Sequence, residues 1–85
     1  MQKIKTVEYE VLARFLSDEP LYEVKWKNHI IITNDPAQES NLNMFWKNYT
    51  FKEMMHYYGI GRILAHAHTV RGAWKKACKV LNQSS

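Results

Sequence analysis

Cysteine, glycine and proline are scarce in this sequence, and long apolar runs are missing. There is one cysteine, Cys78, with three glycines and two prolines among 85 residues. A lone cysteine cannot form a disulfide within the chain, which is typical of a reducing compartment. No apolar run reaches the roughly 20 residues that span a bilayer, and the first ten residues lack the apolar segment of a secretory signal. The sequence therefore predicts a soluble cytoplasmic protein, nuclear if eukaryotic, with no membrane partner.

Acidic residues are absent from the last third of the chain. All eight acids lie within residues 1–53, where seven basic residues nearly balance them. Residues 54–85 have five basic residues and no acid: Arg62, Arg71, Lys75, Lys76 and Lys79. This asymmetry indicates a polyanionic partner such as nucleic acid. The alternative is that these basic residues form a helix face exposed only to water, since such a face would contain the same number of charges.

Apolar residues are abundant enough for the chain to fold around a core of its own. They make up 46% of the sequence, and aromatic residues make up 13%. A chain of this length usually forms one domain, and this composition excludes a disordered chain. We therefore expect one small domain over residues 1–85.

The first third of the sequence has the two-residue periodicity of β-strands. Apolar and polar side chains alternate over residues 7–15 and again over residues 21–27. Asn28 and His29 are expected to form a tight turn into the apolar run 30–33, because Asn tolerates a positive φ. This pattern predicts an N-terminal antiparallel β-hairpin or a three-stranded meander.

The segment EYEVLARFLSDEPLYEVKWK resembles the start of a chromodomain, in which EYxV and YxVKWK strands flank a turn. The resemblance covers about a quarter of the chain. Chromodomains hold methylated lysine in an aromatic cage through cation–π attraction. The resemblance implies that Tyr9 and Trp26 are two walls of such a cage and that the third lies near His29. The alternation also assigns Tyr9 and Trp26 to the buried face, in which case they belong to the core.

A capping pattern predicts a short helix in the middle of the chain. Asp35 can cap a helix whose first residue is Pro36, and Gln38 can complete a capping box. The asparagines that follow are poor helix formers. The alternative over residues 36–47 is a loop anchored by Phe45 and Trp46.

A second capping box is cleaner. Thr50 can accept a hydrogen bond from the amide of Glu53, and the Glu53 side chain can bond back to Thr50. This predicts a helix from Thr50 to about Tyr58, with Gly59 in the left-handed conformation just past its end. A further helix is expected to begin at about Gly61.

The C-terminal third has helical periodicity. Apolar residues recur every three or four positions and define one narrow face, while the basic residues occupy the opposite face. Gly72 lies within this pattern, so either another element approaches closely there or the stretch bends near residues 69–72. The apolar face consists of Ile63, Ala67, Val70, Trp74, Ala77 and Leu81.

Residues 50–70 resemble a helix–turn–helix in outline, with a capped helix, a glycine turn and a second amphipathic helix. The resemblance implies that Arg62, His66 and Thr69 face the major groove near the start of the second helix. The alternative is an ordinary helical hairpin that closes over a sheet.

Phosphate binding is the second chemistry that the sequence indicates. Each cation of the C-terminal helix can neutralise one phosphate, and free amides at a helix start near residues 59–62 would add to the attraction. The candidate nucleic-acid-binding residues are Arg62, His66, Thr69, Arg71, Lys75, Lys76 and Lys79.

Metal binding and catalysis are not expected. His66 and His68 are two residues apart, which on a helix points them in different directions, and metal pairs need a spacing of three or four. Cys78 is interpreted as a small core thiol. The sequence has no nucleophile elbow and no nucleotide-binding loop, so we expect a protein that is not an enzyme and uses no cofactor.

Together these patterns predict an α+β fold, in which the N-terminal hairpin or meander packs against a C-terminal helical hairpin with a long basic amphipathic helix. The predicted function is nucleic-acid binding, with DNA favoured over RNA. The alternative is a small adaptor or inhibitor, as encoded by phages or mobile elements, that docks on a larger protein. The predicted core includes Tyr9, Val11, Val24, Trp26, Phe45, Ile63, Val70 and Trp74.

Overall fold

In the computed structural model, which describes residues 6–83, a three-stranded antiparallel sheet lies between two layers of helices. The α+β class is as predicted; the ends of the predicted domain, residues 1–5 and 84–85, lie outside the described range. No helix of residues 6–83 is long and apolar enough to cross a membrane. The elements are α1 (Thr6–Leu16), β1 (Tyr22–Trp26), β2 (His29–Thr33), α2 (Gln38–Phe45), α3 (Phe51–Met54), a π-helix (Met55–Gly59), β3 (Ala65–Ala67) and α4 (Val70–Gln83).

The central strand β2 is buried on both faces of the sheet. It pairs antiparallel with β1 on one side and with β3 on the other, and Ile31 lies opposite both Val24 and His66. Ile30 and Ile32 belong to a core with α1 and α4, whereas Ile31 belongs to a core with α2 and α3. A strand covered on both faces has a continuous apolar sequence, which explains the run of isoleucines.

The first core lies between the sheet and the pair formed by α1 and α4. Trp74 of α4 is fully buried, and its Nε1 donates a hydrogen bond of 2.6 Å to Oε1 of Glu23 on β1. Ala13, Ala73 and Ala77 are also fully buried. These small side chains let the two helices approach closely while the indole fills the space above the sheet.

The second core lies on the other face of the sheet. Leu42 of α2 and Met54 of α3 are fully buried against Ile31, Val24 and Trp26. Phe51 adds a ring whose centroid is 6.3 Å from that of Trp26. This core positions α3 and the π-helix over the edge of the sheet that carries His66.

The predicted strand over residues 7–15 is wrong, because this segment forms α1. Tyr9 and Ala13 face α4, which is the i, i+4 spacing of a helix. Val11 and Phe15, which the alternation placed on the same face as Tyr9, are 61% and 83% exposed. The sequence fits both periods here, and packing against α4 decides in favour of the helix. The third strand of the sheet is instead β3, far along the chain.

The resemblance to a chromodomain does not hold in the structure. Its EYxV segment is helical, so Tyr9 cannot be the wall of a cage between strands. Trp26 is buried in the second core, and Tyr9 packs against the first. The interpretation of these two residues as core residues is therefore confirmed.

Most of the predicted core residues pack inside the protein, with two errors. Val11 and Phe45 are wrong, since both are mostly exposed, Phe45 to 65%. Val24, Trp26 and Trp74 are buried, and Tyr9, Ile63 and Val70 are half-buried against a core.

The hairpin turn and the start of α2 each differ by a residue or two from the prediction. The turn is Lys27–Asn28, with the positive φ of 54° at Lys27, and His29 already belongs to β2. Helix α2 begins at Gln38 rather than Pro36. Asp35 still organises this start, because its carboxylate accepts hydrogen bonds from the Ala37 amide (2.9 Å) and from Gln38 Nε2 (3.0 Å).

The second capping box is confirmed. The Glu53 amide donates to Thr50 Oγ1 (3.0 Å), and the Thr50 amide donates to Glu53 Oε1 (2.9 Å). The left-handed conformation, however, belongs to Gly61 (φ 88°) and not to Gly59. Gly59 is buried within the π-helix, and a Cβ there would overlap Met55 Sδ. Gly59 therefore allows close packing at the last residue of the π-helix and does not adopt the left-handed conformation.

The predicted helix–turn–helix and its alternative, the helical hairpin over residues 50–70, are both wrong. After the π-helix the chain turns and forms β3, and helix begins again only at Val70. Residues 65–68 read Ala-His-Ala-His, and pairing with β2 turns this alternation into a strand. Helix α4 is continuous, and a Cβ on Gly72 would lie 2.9 Å from Thr69 Oγ1 and 3.2 Å from Ala67 Cβ. Gly72 thus marks a close approach rather than a bend.

Candidate nucleic-acid interface

The exposed side of α4 carries four cations, which we call the basic surface: Arg71, Lys75, Lys76 and Lys79. On a helix with 3.6 residues per turn these positions span an arc of about 140°. The opposite side of the same helix is buried against α1 and the sheet. The predicted separation of charge from core is therefore confirmed within α4, although the helix begins later than expected.

The three lysines of the basic surface differ from Arg71 in their contacts. Among residues 6–83, no carboxylate forms an ion pair with Lys75, Lys76 or Lys79. Arg71 is held differently: its guanidinium carbon lies 5.3 Å from the centroid of the Tyr9 ring, within the range of cation–π attraction. The three lysines are thus free to meet an external anion, next to an arginine anchored on α1.

Thr69 caps the helix that carries the basic surface. Its Oγ1 accepts a hydrogen bond of 3.0 Å from the Gly72 amide, as a side chain at a helix N-cap does. The predicted helix start near residues 59–62 is wrong, because Gly59 ends the π-helix and Gly61 lies in a turn. The amides at the start of a helix lie at Thr69 instead.

Arg62 lies in the turn between the π-helix and β3 and does not belong to α4. Its Nη1 donates a hydrogen bond of 3.1 Å to the Tyr58 carbonyl, and its guanidinium carbon lies 4.6 Å from the Tyr58 ring centroid. Arg62 and Val80 of α4 line the same small cavity of about 230 Å³. The turn therefore borders the C-terminal half of α4.

His66 belongs to a cluster of three histidines that the sequence reasoning missed. On a strand, residues two apart share a face, so His66 and His68 both approach His29 of β2. The ring centroid of His29 lies 5.8 Å from that of His66 and 4.4 Å from that of His68. Phe51 stacks on His29 with a centroid distance of 3.6 Å and an interplanar angle of 9°. The alternating Ala-His-Ala-His pattern was the available signal.

Burial sets the electrostatics of the histidine cluster. It lowers the pKa of His29, and the charges of His68 and His66 lower it further. Burial likewise lowers the pKa of His66, with added repulsion from Lys76 and His68. Nδ1 of His29 is buried and has no hydrogen-bond partner in the part of the chain that the structure describes, while Nδ1 of His68 lies 2.9 Å from the Asn28 carbonyl oxygen. Across residues 6–83, no group of three His, Cys, Asp or Glu side chains is arranged to hold a metal ion.

Acidification is expected to destabilise the protein through His29 and His66. Their pKa values in the fold lie below the ordinary value of 6.5, so the unfolded chain takes up protons at these side chains at higher pH than the folded chain. Their contribution to stability is fully present above about pH 6.5 and is lost as the pH falls toward their folded pKa values. Thermal unfolding midpoints measured from about pH 7.5 down to pH 5.5 should fall across this window.

The double variant His29→Gln with His66→Gln should flatten this dependence. His56→Gln is the matched control, because His56 is exposed and contacts Tyr57 rather than the cluster. An equal fall in the unfolding midpoint of the double variant and the unchanged protein would contradict the assignment.

Cys78 is a core thiol, as interpreted from the sequence. It is buried, its Sγ donates a hydrogen bond of 3.1 Å to the Tyr9 carbonyl, and burial raises the pKa of the thiol. A protonated, covered sulfur is a poor nucleophile. The thiol therefore contributes to packing between α1 and α4.

The structure places most of the candidate residues on α4 or next to it. Thr69 caps α4, the basic surface follows along the helix, and Lys76 adjoins the histidine cluster through His66; Arg62 lies in the turn before β3. Comparisons with protein-family models, with curated proteins and with solved structures find no match. Function is therefore argued from the geometry and charge of this chain.

Proposed function

We propose that the protein binds nucleic acid, DNA in preference to RNA, through the basic surface of α4. The observation that carries this proposal is the group of lysines at positions 75, 76 and 79, which lie on one exposed side of a well-anchored helix and have no carboxylate partner within residues 6–83. A solvated protein surface normally mixes both signs of charge. A surface that carries only positive charge is suited to binding a polyanion.

Phosphate contacts, rather than base contacts, dominate in this proposal. Lysines neutralise phosphates and release counterions, which gives affinity without reading sequence. Thr69 caps α4 and so holds the start of the helix that carries these lysines. The protein acts as a binding protein and not as an enzyme, and it uses no cofactor.

The test is a salt titration of binding to a labelled DNA duplex, followed by fluorescence anisotropy. If three or four phosphates are neutralised, the logarithm of the association constant should fall against the logarithm of salt concentration with a slope of about −3. Affinity should be measurable near 50 mM salt and should fall by more than about tenfold at 200 mM. Absence of binding at the lower concentration would overturn the proposal.

A second candidate function is docking on a larger protein, and the observation that favours it is the outer side of α1. Val11, Leu12 and Phe15 are exposed there next to Glu8. Exposed apolar patches of this kind often mark protein-binding surfaces. A stoichiometric protein complex that Phe15→Asp disrupts, together with no affinity for nucleic acid, would favour this function over the first.

A further inference from the structure

Three aromatic rings and an arginine form a continuous row on the layer of helices opposite α4. We call this row, which consists of Tyr49, Trp46, Tyr58 and Arg62, the aromatic row. The ring centroids of Trp46 lie 4.9 Å from those of Tyr49 and 5.2 Å from those of Tyr58, and the Arg62 guanidinium carbon lies 4.6 Å from the Tyr58 centroid. Tyr49 is 44% exposed, and Arg62 is exposed at the other end.

Hydrogen bonds to α2 hold the Tyr58 ring, in the middle of the aromatic row, in place. The Tyr58 hydroxyl donates a hydrogen bond of 2.6 Å to Gln38 Oε1 and accepts one of 3.1 Å from Asn41 Nδ2. Trp46 and Tyr58 both pack against the second core. Neighbouring rings are tilted by 56° and 34° and do not stack flat on one another. A ligand therefore meets rings that are already ordered, which lowers the entropy cost of binding.

The surroundings of the aromatic row are positive. Arg62 lies at one end of the row, and Lys27 Nζ donates a hydrogen bond of 3.0 Å to the backbone carbonyl of Lys47, the residue that follows Trp46. Residues 45–62, which contain the whole row, have three basic residues, Lys47, Lys52 and Arg62, and one acid, Glu53. The Glu53 carboxylate accepts the hydrogen bond of the capping box. This charge repels a cationic ligand and attracts an anionic one.

Arg62 connects the aromatic row to the basic surface. It shares a cavity with Val80 of α4. Val80 follows Lys79 directly and lies one helical turn beyond Lys76. A flexible polyanion that contacts Lys76 and Lys79 can therefore continue over Arg62 onto the rings in the opposite layer of helices, whereas a stiff duplex would have to bend sharply to do so.

We infer that the aromatic row binds unpaired bases, so that the preferred ligand is a single strand whose phosphates continue onto the basic surface. Proteins bind single strands by stacking bases on aromatic side chains along a positive groove. This inference rests on the proposed function, because the basic surface supplies the phosphate contacts. It adds the class of nucleic acid, which the lysines alone do not specify.

The experiment compares a labelled oligodeoxythymidine with a duplex of the same length. The unchanged protein should bind the single strand more tightly. Tyr49→Ala should weaken single-strand binding at least about fivefold and leave duplex affinity unchanged. Tyr57→Ala is the matched control, because Tyr57 is 73% exposed but contacts His56 and lies outside the row; it should change neither affinity. Thermal unfolding of both variants checks that they fold.

The outcomes separate the inference from the proposed function. If Tyr49→Ala binds the single strand as tightly as the unchanged protein, or if Tyr57→Ala loses as much affinity, the role of the aromatic row is wrong while duplex binding through the lysines stands. If neither nucleic acid binds at low salt, the proposed function itself fails. Quenching of tryptophan fluorescence by the oligonucleotide provides a second readout, since Trp46 is half-buried whereas Trp26 and Trp74 are buried.

Discussion

Trp74→Ala is expected to lower the free energy of unfolding by about 3–5 kcal/mol. The indole is fully buried in the first core, and its removal leaves a cavity that the surrounding packed side chains can close only in part. The Arg14 guanidinium carbon, 5.0 Å from the indole centroid, loses its aromatic partner. A domain of this size has a total stability of about 5–15 kcal/mol, so the variant should be close to unfolding. Urea unfolding followed by circular dichroism measures the change.

Two milder variants separate packing from hydrogen bonding at this site. Trp74→Phe keeps most of the ring but removes the Nε1 donor, and Glu23→Gln weakens the acceptor while keeping the indole. Because Glu23 is exposed and can bind water, loss of this hydrogen bond should cost only about 1 kcal/mol. If Glu23→Gln were as damaging as Trp74→Ala, the hydrogen bond and not the filled space would hold this core.

The double charge reversal Lys75→Glu with Lys79→Glu should abolish measurable duplex binding. It removes two phosphate contacts and places two carboxylates where phosphates would lie, so affinity should fall by more than about a hundredfold at low salt. Both side chains are exposed, on the side of α4 opposite its buried face. The fold should therefore persist, which circular dichroism and thermal unfolding verify. Anisotropy with the labelled duplex measures the loss.

The matched control is Lys47→Glu with Lys52→Glu, which changes the net charge by the same amount. These lysines are exposed on the layer of α2 and α3, across the sheet from the basic surface. Exposed charges that far apart are screened, so duplex affinity should change by less than about threefold at physiological salt. Equal losses in both double variants would mean that only net charge matters and would remove α4 as a specific interface.

Features that depend on neighbouring residues could be predicted from the sequence, and Thr50 with Glu53 shows why. A capping box needs two side chains three residues apart and the amides between them, so its signal is complete within four residues. The buried side of α4 was equally readable, since Trp74 and Ala77 repeat with the helical period. The same helical period predicted that the lysines of α4 lie on the side opposite the buried residues.

Features that depend on distant partners could not be predicted in this way. Tyr9 and Ala13 fit a helix, while Tyr9, Val11 and Phe15 fit a strand, and only the contact with α4 distinguishes the two. His66 and His68 were assigned to a helix that would have separated them. Pairing of β3 with β2 makes that segment a strand and gathers the histidines, and no local signal outweighed the helical period around it.

Because Cys78 lies at the contact between α1 and α4, the rate at which its thiol is alkylated reports how often that contact opens. Its sulfur is covered by the backbone of α1 at Tyr9, and burial keeps the pKa of the thiol raised. An alkylating reagent reaches the sulfur only during the moments when α1 detaches. The alkylation rate of the folded protein therefore measures how often α1 separates from α4. A ligand that stabilises α1 in its folded position should lower this rate without contacting the cysteine.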